Sequence, residues 1–186
     1  MDAAELPQAL RMRRLTTLAL ADQIKEDRWR DPVLPGGRTL HDLLAHLIAW
    51  DEWAFAVIDI SQTRDLPPVL LNAVRDIDAY NAKHERRMRN LTRDDMLSAL
   101  QSVPDRLLKV AMASGGEAWD QRRIAELAGL MPGARPAQDE APRAPSVRGI
   151  LRTLMAHEAE HDQQIMDTFG IQPNLEQFAD PDGASS

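Results

Sequence analysis

His157 and His161 stand four residues apart, a spacing that sets two imidazoles on one helix face about a turn from each other, within reach of a common cation. On a helical wheel they fall beside Ile150, Leu154 and Ile165, so both point towards a core and away from water. Buried imidazoles need partners, either carbonyls and carboxylates or a metal ion. A third histidine tips the balance towards the metal. His46 lies in LLAHLIAWDEW, one turn before Trp50, on the border of another apolar helix face. Three imidazoles from two facing helices form a neutral donor set with a coordination position left open. Such a site keeps the cation's full positive charge, which polarises a water or a thiol towards its deprotonated form. Zinc, nickel, iron and copper all accept imidazole, and the residues alone do not choose among them.

Cysteine is absent, which excludes disulfides and thiolate ligation and leaves His with Asp or Glu as the available ligands. The run from His157 to His161 also fits the H-E-x-x-H pattern of zinc proteases, with Glu158 as base. Against a protease, HEAEHDQQIMD lacks the glycine and the third histidine of the longer pattern, and no strand pattern offers a shelf for a peptide. The remaining acidic candidates for a third ligand, Glu176 and Asp180, lie in a tail interrupted by helix breakers. Glu158 sits about 100° around the helix from His157, still within the inward arc, and is the candidate acid-base residue. Its competing role is a carboxylate that supports the ligands or the helix. Glu160 faces outward into solvent. Asp42, four residues before His46, either orients that ring or caps its helix. His41 is expected at the surface.

The elements that must position these residues read as helices. A first helix is expected from about Pro7 to Asp27, because proline is tolerated in the first turn and Leu15, Leu18 and Ile24 recur near helical spacing. Pro35-Gly36-Gly37 breaks the chain. Thr39 followed by Asp42 then forms a capping-box signal for a second helix to about Ile60, with Leu40, Leu43, Leu47, Trp50, Ala54 and Ile58 along one side. After Pro67-Pro68, a third helix from about Leu71 to Asn90 carries Ile77, Tyr80, Asn81, His84 and Met88 in one stripe. Thr92 with Asp95 opens another helix through Leu97, Leu100, Leu107 and Leu108, which Pro104 should kink. Gly115-Gly116 ends it. A short helix over Asp120 to Gly129 precedes the loop MPGARPAQDEAPRAP, residues 131–145, whose composition cannot build a core. Ser146 caps the last long helix, which runs to about Phe169 and stops at Gly170.

One domain over 1–170, with a partly disordered tail over 171–186, suits a chain of 186 residues of which 44% are hydrophobic. Long helices joined by breaker-rich loops, with no internal repeat and no alternating strand pattern, point to an all-α helical bundle. A formal net charge of -7 argues against a surface built to neutralise nucleic-acid phosphates, although Arg11, Arg13 and Arg14 form a local basic cluster. No stretch approaches the roughly 18 apolar residues of a membrane span, and the amino terminus has no leader pattern, so a cytoplasmic protein is expected.

TLHDLLAHLIAWDEW in the second helix, DIDAYNAKHERR in the third and LMAHEAEHDQQI in the last resemble, in order and rough spacing, the DinB-like (YfiT-like) superfamily. That superfamily includes thiol-dependent transferases and the metal-binding domain of mycothiol-dependent maleylpyruvate isomerase. The resemblance implies a four-helix bundle of up-down-down-up topology with a long crossover between its second and third helices. It further implies nickel or zinc on His46, His157 and His161, and a homodimer. Trp50, Trp53, Asn81 and His84 become candidate pocket residues, with core packing as the competing role for both tryptophans. The leading expectation is a metalloenzyme that activates a low-molecular-weight thiol or a water for attack on a small electrophile, with a role in detoxification or stress response. A non-enzymatic, stress-induced metal- or ligand-binding bundle is the second reading. DNA binding is a third, disfavoured by the acidic charge.

Overall fold

A computed structural model describes residues 5–113, 124–128, 130 and 144–176. Six α-helices form among them: α1 (Leu6–Gln23), α2 (Leu40–Ile60), α3 (Pro68–Arg75), α4 (Ile77–Met88), α5 (Arg93–Ala113) and α6 (Val147–Phe169). Short 3-10 turns occupy Glu26–Arg28, Pro35–Gly37 and Ala125–Leu127. No strand and no helix long and apolar enough to cross a membrane occur among the described residues.

Local chemistry sets most boundaries. The Thr39 hydroxyl accepts from the Asp42 amide at 3.0 Å and the Asp42 carboxylate accepts from the Thr39 amide at 3.2 Å, so two amides that the helix leaves open at the start of α2 are satisfied reciprocally. Asp42 is thereby committed to capping. Ser146 caps α6 through the Gly149 amide, and Gly170 closes it at φ 67, a left-handed conformation that a Cβ would strain.

Two helices differ from their expected extents. α1 stops at Gln23, short of Asp27, because Ile24 turns extended and its carbonyl accepts the indole N–H of buried Trp29 at 3.0 Å. The expected helix from Leu71 to Asn90 is divided into α3 and α4 at Asp76 (φ -130, ψ 74), whose carboxylate caps α4 through the Ala79 amide at 3.1 Å. Aspartate competes with the helix for backbone donors, which makes it a natural interruption. α5 continues through Pro104 as one helix. Gly115-Gly116, residues 131–143 of the expected loop and residues 177–186 of the tail lie outside the described residues, and the expected short helix is represented only by its Ala125–Leu127 turn.

Side-chain contacts fix the directions of the four long helices. Arg11 meets Asp105 and Asp22 meets Arg93, so α1 and α5 are antiparallel. Arg14 meets Glu158 and Gln23 meets the Gln172 carbonyl, so α1 and α6 run together. His41 meets the Leu91 carbonyl and Gln62 the Val110 carbonyl, so α2 and α5 also run together. This is the up-down-down-up bundle, with α3 and α4 in the crossover between α2 and α5.

The apolar core falls into two clusters. One gathers Leu6, Leu10, Trp53, Val57, Leu107, Ile150 and Leu151, and the other Leu20, Leu43, Leu44, Ile48, Met96, Leu100 and Ile165. Polar side chains fill the level between them: His46, Asp51, Arg14, Thr17, Glu158, His161 and Asp162 are all buried. That polar layer crosses the bundle at mid-height, where an unpaired group would be costly.

Candidate metal centre

α2 contributes His46 and α6 contributes His157 and His161, and helical spacing on α6 delivers the last two to the same face. The Nε2 atom of His157 lies 3.0 Å from Nε2 of His46 and 3.0 Å from Nε2 of His161. One nitrogen from each ring falls within 4.8 Å of the other two. His46 and His161 are buried and His157 is half-buried.

The opposite ring nitrogens fix the tautomers. Trp50 Nε1, which can only donate, reaches Asn81 Oδ1 at 3.1 Å, so the amide must present its oxygen there. The same oxygen lies 3.0 Å from Nδ1 of His46 and accepts its proton. His46 is therefore the Nδ1-H tautomer, and its Nε2 carries a bare lone pair towards the other two rings. Gln164 Oε1 accepts likewise from Nδ1 of His161 at 2.9 Å. Lone pairs crowded at 3.0 Å repel unless a proton or a cation lies between them.

A neutral His157 has at most one Nε2 proton to offer the two lone pairs, and further protons are a poor answer at neutral pH. Burial, followed by the neighbouring imidazoles and Arg38, holds His46 down at about 3, and burial with His161 and Arg38 holds His157 at about 4. His161 is lowered chiefly by burial, against the Gln164 hydrogen bond. The three rings are thus neutral donors of the kind a transition-metal cation requires, and the residues fit such an ion. Because His46 and His157 take up protons only near pH 3 to 4 and His161 only below its usual range, metal affinity should fall steeply below about pH 4 and lose no more than the competition of a single proton before that. Competition titrations from pH 7 downwards measure it; a tenfold loss per unit already between pH 7 and 6 would contradict the neutral cluster.

Among the other expected site residues, Trp50 and Trp53 line a cavity beside the histidines. Asn81 does not line it. It stands behind His46 as the group that orients the ring, and Asn81→Leu should weaken metal binding by roughly 10- to 100-fold, the usual cost of losing such a partner. Unchanged affinity by calorimetry would remove this role. His84 also lies away from the cavity, stacked on Tyr80 at 4.3 Å between centroids, with its buried Nδ1 unpartnered. His41, expected at the surface, is buried with Nε2 3.2 Å from the Leu91 carbonyl, because α2 is covered on several sides. Glu160 is exposed as expected, yet it lines the cavity. Glu176 is exposed and takes no part in the histidine group, which leaves the protease pattern without its third ligand there.

Glu158 carries two expectations, acid-base residue and supporting carboxylate. Its side chain turns from the cavity towards α1, where Oε1 lies 2.8 Å from Nε of Arg14 and accepts the Thr17 hydroxyl at 2.6 Å. Arg14 also donates to Asp51 at 2.5 Å and to the Leu100 carbonyl. Asp162 takes Thr17 at 2.8 Å and Arg13 at 3.1 Å. A hydroxyl has one proton, so facing two carboxylates it satisfies one and disfavours charge on the other; burial pushes Asp162 up to about 6. Sequence reading placed Arg14 in a surface cluster. Its position among Leu10, Thr17 and Ala21, at spacings of four, three and four, was the available signal of burial.

No curated protein and no solved structure matched the chain in the comparisons made. A family model described as the DinB superfamily matches residues 9–165, a span that contains most of α1, all of α2 to α5, the three histidines and most of α6. With that match covering well over half of the sequence, the chain belongs to the DinB superfamily.

Proposed function

We propose that the protein is a metal-dependent enzyme that holds one divalent transition metal, nickel or zinc, on His46, His157 and His161 and activates a low-molecular-weight thiol for transfer to a small electrophile. The observation that carries this reading is the convergence of three neutral Nε2 atoms beside a cavity, with no fourth side chain in the group among the described residues. A divalent cation bound there supplies Lewis acidity, which lowers the pKa of a thiol or a water. Asn81 and Gln164 hold two of the rings so that their Nε2 atoms face the centre. The buried position of His46 excludes water from one side, and the cavity admits the second reactant from the other.

Glu158 is engaged with Arg14 and Thr17, so it supplies no base at the cavity. A thiol, whose ordinary pKa is near 8.5, needs less help from a base than the much less acidic water. A bundle that merely stores a metal would need no cavity beside the histidines, whereas one that sequesters a ligand would keep the cavity and show no turnover. The reading includes a homodimer, as the family resemblance implies, and a small-molecule partner in place of nucleic acid, which the net charge of -7 supports. Chelation should remove turnover of a thiol with a chromogenic electrophile, and one equivalent of nickel or zinc should restore it. Equal turnover in the metal-free protein would reject the proposal.

A further inference from the structure

The cavity beside the histidines measures about 340 Å³ and lies between α2, the start of α4 and α6, at the small end of the range for ligand sites. Trp50 and Trp53 form one wall and Ile150 and Leu154 the other, with His46 and His157 at the floor. The donors on these walls are already engaged. Trp50 Nε1 donates to Asn81, Trp53 Nε1 to the Leu70 carbonyl at 2.9 Å, and the Thr153 hydroxyl to the Gly149 carbonyl at 3.0 Å. What remains for a ligand is carbon surface. The two indoles stand 5.5 Å apart at 67° and both are anchored through their N–H groups, which makes a fixed aromatic corner suited to the edge or face of another ring.

Polar function is confined to the histidine end, where Glu160, about one turn along α6 from His157 and exposed, adds a carboxylate that makes no hydrogen bond or ion pair with any described residue. No lysine or arginine is among the described lining residues. We propose that the cavity selects its substrate by an apolar, ring-sized body, and that Glu160 favours a cationic substituent over an anionic one. This deepens the metalloenzyme reading and depends on it only for which end of the substrate reacts.

Calorimetric titration of the chelator-treated protein with phenylethylamine, phenylethanol and phenylacetate, which share a phenyl ring and differ in charge, tests both parts without the carboxylate ligation that a bound divalent cation would add. The amine should bind tightest and the acid weakest, separated by roughly 3- to 10-fold at low salt and less at 1 M salt, as expected for an exposed charge. Glu160→Lys should reverse the order. Ala156→Trp, at an exposed lining position that ligates nothing, should abolish binding of all three while metal content stays at the wild-type level. Unchanged binding in Ala156→Trp, or an order that Glu160→Lys leaves in place, overturns the inference. Protein that loads metal yet binds none of the probes overturns it too and leaves the proposed function standing. Probe binding without metal uptake sustains the inference and removes the proposed function.

Discussion

Replacing His157 with alanine should reduce bound metal from about one ion per chain to under about a tenth, and turnover with it. His157 is the ring whose Nε2 lies 3.0 Å from both of the others, so its loss leaves two imidazoles on separate helices and removes the vertex they share. Two nitrogen ligands fall short of the three that open catalytic sites ordinarily retain, and affinity falls with each one lost. The fold should survive, because His157 is only half-buried and its nitrogens serve no backbone group. Elemental analysis of untagged protein, alongside far-ultraviolet circular dichroism, measures both outcomes. An untagged chain matters, since added histidines would bind metal of their own. Full metal content in a folded His157→Ala protein would falsify the three-histidine centre.

Arg14→Ala should destabilise the protein by about 3–5 kcal/mol, the usual cost of removing one partner from a buried ion pair. The guanidinium is 4% exposed and faces Asp51 and Glu158, themselves 4% and 2% exposed. Without it, both carboxylates stay at mid-height in the bundle with no cation beside them. Urea denaturation should show the loss, which corresponds to a fall in Tm of about 6–20 °C for a chain of this size. The sign with pH follows from Asp51, which burial pushes up to about 6 despite the opposing pull of Arg14. A folded value above the unfolded one means the folded state takes up the proton first as the pH falls through 6. Stability from this group therefore rises from about pH 6 towards 4 and is flat above. Loss of Arg14 should raise that folded value further, so the penalty should be larger at pH 8 than at pH 5. A change under about 1 kcal/mol at pH 8 would sink the account.

The same network separates two roles for Glu158. As a partner of Arg14 and Thr17, its replacement by glutamine should cost stability and leave metal content intact. An acid-base residue would behave in the opposite way, losing turnover while the fold kept its stability. The placement on the α1 side favours the first outcome.

Much of the fold was legible because its signals are local. The Thr39-Asp42 and Ser146 caps, the Gly170 stop and the apolar periodicities of α2 and α6 each depend on residues within one or two turns. The HxxxH pair belongs to the same class, since a spacing of four on a helix is itself a geometric statement. Less local features were harder. The break at Asp76 depends on whether its carboxylate caps α4 or points away, and the early end of α1 depends on Trp29 finding the Ile24 carbonyl.

Sequence by itself determined the helical class, the three candidate ligands and the absence of any thiolate ligand, because helical period and side-chain chemistry are properties of the chain. Tertiary structure alone decided what each polar residue faces. His46 meets Asn81 across 35 positions and Glu158 meets Thr17 across 141. No local pattern encodes that the inward carboxylates Glu158 and Asp162 turn to Arg14, Thr17 and Arg13 on another helix and not to the metal face. That choice follows from the packing of α1 against α6, where Arg14 enters the core and a buried cation holds the nearest carboxylates.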